Sequence, residues 1–142
     1  MAGRVRCGRS TPVAEPSFTD LNAYFEKWGP GPLEPARRRA AIADYVALLV
    51  KHRALLAFLA KEGDRRDHEP VMRQWPRGAK QFAQLTYGNE EDLSERLYLA
   101  AAIRGGLALA PVGFPEVADD ELREHLQVAA ERLLARPRRR TA

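Results

Sequence analysis

What is scarce in this 142-residue chain narrows its class first. Cys7 is the only cysteine, so neither an internal disulfide nor a thiol-built metal cluster is expected, which fits a reducing, cytoplasmic setting. No run approaches the roughly 18 uninterrupted apolar residues of a membrane span. The longest candidates are broken by Arg104 and by Lys51 with His52. Three serines leave little from which to assemble a hydroxyl nucleophile, and the G-x-S-x-G, Walker and H-E-x-x-H patterns are all missing. His52, His68 and His125 stand far apart without cysteine partners, so neither a metal site nor a cofactor is expected. Alternating β-branched runs are missing too, which leaves helix packing as the route to a core. Catalysis finds no support in any of this.

What is present suits one helical domain. A chain of this length with 45% hydrophobic residues can bury one proper apolar core. Its formal charge of +4 hints at nucleic acid until the charges are placed. Arg4, Arg6 and Arg9 against Glu15, with Arg136, Arg138, Arg139 and Arg140 at the other end, put +6 into the tails and leave residues 17–135 at −2. A slightly acidic body does not promise an ordered phosphate-binding face, so specific DNA binding by this chain alone is not expected. The expected organisation is a flexible basic arm over 1–16, a helical domain over 17–135 and a basic tail over 136–142. Arginines near Met1 are not followed by the apolar run of a secretory signal.

Ser17 or Thr19 can cap a first helix carrying Leu21, Tyr24, Phe25 and Trp28, which Gly29-Pro30-Gly31-Pro32 stops. Pro35 opens a long helix through Ala41, Tyr45, Leu48, Leu49 and His52, then Leu55, Leu56 and Leu59, with a bend near His52 and an end at Gly63. After a charged loop at Asp64–Asp67, a short helical turn over 69–75 and a new helix from Pro76 are expected, the latter bearing Phe82, Leu85 and Tyr87. Asn89 is a good cap for a helix with Glu90, Glu91 and Asp92 in its first turn, where the dipole favours carboxylates. Leu93, Leu97, Ala100, Ala101, Arg104, Leu107 and Ala108 make one face of it. Asp119, Asp120 and Glu121 start a last helix with the stripe Leu122, Leu126, Ala129 and Leu133.

Aromatic residues occupy the earlier segments, and the last helix has none. That asymmetry suits an aromatic-rich chamber in the N-terminal part and a flatter aliphatic contact surface on the last two helices. Core packing is the competing account of the same aromatics. The Arg37-Arg38-Arg39 run reads as a solvated face. Arg104 falls on an apolar stripe and needs a partner if buried: Glu124 or Glu131 across a helical interface, or an anionic group of a ligand.

The run Glu95-Arg-Leu-Tyr-Leu-Ala-Ala-Ala-Ile-Arg-Gly-Gly-Leu-Ala-Leu-Ala110, a Pro-containing connection, and Asp119-Asp-Glu-Leu-Arg-Glu-His-Leu-Gln-Val-Ala-Ala-Glu-Arg-Leu-Leu134 resemble the C-terminal helix pair of TetR-type transcriptional regulators. Val46-Ala-Leu-Leu-Val-Lys-His-Arg-Ala-Leu-Leu56 resembles that family's long helix running into a His-Pro-Ala-Leu turn, with Arg53 where the proline stands. The likeness spans roughly residues 35–135. It implies an all-α antiparallel bundle that homodimerises through its last two helices and takes a small apolar or aromatic effector among the earlier ones. Carried onto this chain, the dimer face is Leu97, Ala101, Arg104, Leu107, Ala108, Leu122, Leu126, Ala129 and Leu133. The effector site is Tyr45, Leu49, His52, Phe58, Trp75, Phe82 and Tyr98. The family's helix-turn-helix has no counterpart between Met1 and Pro35, which makes the expected protein a fragment, a truncated reading frame or a regulator-like partner without a DNA-reading head. A ligand-sensing regulatory domain working by population shift is therefore the leading expectation. A helical structural or interaction protein with a filled core comes second, and a small α-helical enzyme third.

Overall fold

The computed structural model describes residues 14–61, 69–88 and 91–135, with side chains from 16–61, 77–88 and 91–135. Its regular elements are α1 (Ala14–Trp28), α2 (Pro35–Lys51), α3 (Arg53–Lys61), α4 (Glu69–Tyr87), α5 (Leu93–Ala100), a π-helical segment (Ala101–Leu107), α6 (Ala110–Gly113) and α7 (Asp119–Leu134). All are helical, and no strand occurs among the described residues. Residues 1–13 of the arm expected over 1–16, the charged loop, the Asn89 cap and the tail over 136–142 lie outside the described residues, and residues 14–16 of that arm are helical.

α2 is the central element. Pro35 suits its first turn because a proline needs no intrahelical N–H partner there. Ala41, Ile42, Tyr45, Val46, Leu49 and Val50 are all buried, a stripe too broad for one neighbour. α1, α3, α4 and α7 all pack on it, α7 most extensively. α7 supplies Leu122, Leu126, Ala130 and Leu134, spaced at four so that they share one face. A buried side chain of this kind stabilises by about 1.5–3 kcal/mol relative to exposure, so this helix pair is a main source of the core's stability.

The bend at His52 is a true break. Its backbone N–H bonds back to the Leu48 carbonyl, its own carbonyl accepts from Leu56, and φ −106°, ψ 25° takes it out of the helical basin. α1 begins at Ala14, ahead of the expected Ser17, and ends at Gly29, whose φ of 68° and N–H bond to the Phe25 carbonyl form a left-handed cap. Gly31 lies so close to the Leu85 backbone that any Cβ there would collide with it. Leu33 then donates to the Leu85 carbonyl, fastening the α1–α2 connection to α4.

Two later boundaries also differ from the sequence reading. Residues 69–87 form one helix through Pro76, not two. The missing hydrogen bond of an internal proline costs on the order of 3 kcal/mol, which the burial of Ala79, Phe82 and Leu85 along the same helix offsets. Residues 93–110 do not form one α-helix. After Ala100 the backbone widens into the π segment, closed by an N–H bond from Ala108 to Ile103, and the helix begins at Leu93 with Glu91 and Asp92 ahead of it. Ala101, Ala102, Gly105 and Gly106 carry little bulk to resist the wider turn.

Candidate functional site

α4 and the α5–π limb enclose an open groove of about 570 Å³. Small side chains, Ala79 and Ala83 on α4 and Ala100 on α5, set its depth, while Leu99 and Ile103 come from the buried side of the α5–π limb. Leu93 and Leu97, one helical turn apart, line it while remaining 62% and 61% exposed. Lys80, Arg96 and Arg104 are its charged members, and among the described residues no carboxylate, imidazole, thiol or hydroxyl joins them. Among the described residues, none of the three cationic side chains forms an ion pair or a hydrogen bond. A second groove, of about 590 Å³, runs past Phe25 and the Gly29–Pro32 turn and shares Gln84 and Gly88 with the first.

The expected effector residues do not converge on a chamber. Tyr45 and Phe82 are 2% and 0% exposed and stack with ring centroids 4.0 Å apart and planes 10° from parallel. Tyr24 leans on both rings and donates its hydroxyl to the Ala41 carbonyl at 2.7 Å. Burial pushes the Tyr24 and Tyr45 hydroxyls far above their usual ionisation range. Leu49 belongs to the same solid core. His52 is buried at the α2–α3 break, with Nε2 2.8 Å from Asp20, and Lys51 reaches the same carboxylate at 2.8 Å. The Lys51 hydrogen bond, together with the one to His52, holds the Asp20 carboxyl below its usual value despite the opposing effect of burial. Phe58 sits on the exposed side of α3. Tyr98 is partly exposed and donates to the Leu133 carbonyl, while Tyr87 donates to that of Leu134, so the two tyrosines satisfy the open end of α7. The Trp75 side chain lies outside the described residues.

The expected dimer face divides in two. Leu107, Leu122 and Leu126 are buried in the chain's own core, and Ala129 and Leu133 pack beside it, so they cannot form an open surface for a second copy. Ala108 is half-buried. Leu97, Ala101 and Arg104 are exposed, and Arg104 is therefore not the buried arginine expected from its stripe. The cause is a helix apolar on both sides. Leu99, Ile103 and Leu107 recur at four residues and present more bulk than the alanine-rich stripe, so the bulkier face turns inward.

The arginine run is also more structural than expected. Arg38 donates from Nε to the Thr86 carbonyl at 2.9 Å and lies over the Tyr87 ring, and Arg37 lies over Trp28, 5.1 Å from the ring centroid. Arg53 donates to the Val117 carbonyl at 2.6 Å and pairs with Asp119 at 2.9 Å, so the residue standing in for a proline latches the α6–α7 connection onto α3. Sequence reasoning missed Lys80, Ala83 and Arg96 as site residues. The available signal was Leu93 and Leu97 flanked by Arg96 and Arg104 on one helix with no acid between the two arginines.

Among the described residues, no group of three or more His, Cys, Asp or Glu could hold a metal ion, and no helix is long and apolar enough to cross a membrane. No protein-family model, curated protein or solved structure matches the chain.

Proposed function

We propose that the chain is a non-catalytic helical binding module whose ligand or partner lies in the α4–α5 groove. This keeps the ligand-binding part of the TetR-like expectation and moves its site out of the aromatic interior. One observation carries the reading: Leu93 and Leu97 stand open to solvent beside a concave surface although the α5–π limb has already satisfied its packing through Leu99, Ile103 and Leu107. Exposed leucines next to a groove rimmed by polar groups mark an interaction surface. Its described lining of aliphatic side chains with Lys80, Arg96 and Arg104 supports binding over chemistry.

The test replaces both leucines by glutamine, which keeps helix propensity nearly constant. If the groove is a free surface, Leu93→Gln with Leu97→Gln leaves the melting temperature within about 3 °C of the parent. A fall of the size produced by core substitutions would show that these leucines belong to the fold and would remove this reading.

A second reading retains the regulatory homodimer implied by the TetR resemblance. It is favoured by Leu97, Ala101 and Arg104 being exposed on α5 and the π segment, while Glu124 and Val128 are exposed one helical turn apart on α7. In that arrangement Arg104 meets the acidic α7 face of a second copy. The mass in solution decides between the two.

A further inference from the structure

We propose that the α4–α5 groove takes an amphipathic acid, a molecule with an unbranched aliphatic tail and a single anionic head. The proposal rests on the groove being the binding surface and names what it holds. Size is the first argument. At about 570 Å³ the groove falls within the ~300–1,000 Å³ typical of small-ligand sites. It is too small for a globular partner to enter and large enough for a medium-length alkyl chain.

The lining chooses the tail. Among the described residues every apolar member of the groove is aliphatic, and Tyr24, Tyr45 and Phe82 pack on one another in the core rather than in the groove. Alanines at 79, 83 and 100 keep the lining low beside the exposed Leu93 and Leu97, and the buried Ile103 adds an aliphatic floor. A narrow, flexible hydrocarbon fits that relief better than a ring system does.

Charge chooses the head. Residues 17–135 carry a net −2, yet among the described residues the groove lining carries three positive groups and no negative one. Four described cations pair with carboxylates, Lys27 with Asp44, Lys51 with Asp20, Arg53 with Asp119 and Arg123 with Asp120, whereas Arg39, Lys61, Arg77 and Arg132 stand on the surface without an ion pair among the described residues. Lys80, Arg96 and Arg104 have none among the described residues. Their long stems can lie along the apolar wall with the charged ends at the rim. Guanidinium groups there are suited to the planar oxygens of a carboxylate. An aliphatic trough edged by unpaired cations is complementary to an acid with a tail, and repels the same tail bearing a positive head.

Dodecanoate is the probe, titrated below its micelle concentration by calorimetry into the full chain, with dodecyltrimethylammonium as the same tail of opposite charge. Dodecanoate binds at one per chain, and the cationic amphiphile binds about tenfold more weakly or worse. Replacing Lys80, Arg96 and Arg104 together by glutamine lowers dodecanoate affinity by about tenfold or more, while circular dichroism and melting temperature stay at the parent values. The proposal is overturned by equal binding of both amphiphiles, by undiminished binding to the folded triple variant, or by no binding at all. It is also overturned if an acidic amphipathic peptide binds where dodecanoate does not, which would make the occupant a protein helix. Stability of the Leu93→Gln, Leu97→Gln chain separates these failures from failure of the groove itself.

Discussion

Asp20 is the residue whose surroundings make the plainest thermodynamic statement. One carboxylate oxygen receives both the Lys51 ammonium and the His52 imidazole at 2.8 Å, across the joint between α2 and α3. Because its folded ionisation lies below the ordinary 3.8, the unfolded chain binds the proton more readily. The carboxylate's stabilisation is therefore complete above about pH 4 and is lost as the pH falls through the lowered folded value. Asp20→Asn should show a smaller loss of melting temperature than the parent between pH 5 and acid, measured by calorimetry at matched ionic strength. Identical acid limbs would mean that the carboxylate adds nothing to folding. At this scale the sequence showed which aromatics were candidates for burial but could not say whether they surround a space or fill it. Tyr45 and Phe82 serve either outcome, and only their 4.0 Å stacking distinguishes the two. Arg38 was unreadable for a different reason: its acceptors, the carbonyls of Thr86 and Leu33, are backbone atoms with no signature in sequence.

α7 shows how an element can be identified correctly and still be assigned the wrong neighbour. Its start at Asp119–Glu121 and its stripe through Leu122 and Leu126 were legible, because three carboxylates in a first turn and a four-residue spacing are local signals. The partner helix was not legible, since an apolar stripe carries no label for what covers it. The structure gives that stripe to α2. Leu126→Ala should accordingly cost about 2–5 kcal/mol in urea unfolding, with a midpoint independent of protein concentration. A midpoint that rises with concentration would place Leu126 between chains. The limb from Leu93 to Leu107 was harder, because alanine and leucine on both sides leave the period without a phase. Pro76 misled in the opposite direction, since local chemistry argued for a break that tertiary burial overrode.

As a whole, the described residues divide between a filled interior and a grooved surface, of which the α4–α5 flank carries the exposed leucines. The all-helical class and the absence of a long apolar span were fixed by composition, whereas the flank was visible only after the interior had claimed its residues. Light scattering on the full chain should return close to 15.9 kDa if the open groove awaits a small acid. About twice that mass, returning to one chain in Leu97→Glu, would establish the paired arrangement instead. The tyrosine hydroxyls at the end of α7 carry one more consequence. Tyr87 adjoins Gly88 and Tyr98 adjoins Leu97, two residues of the groove, and both hydroxyls hold the last carbonyls of α7. The last turn of α7 is thereby tied to the two elements that carry the groove, α4 through Tyr87 and α5 through Tyr98. A change that frays the end of α7 would therefore be felt at the groove although no described residue of α7 lines it.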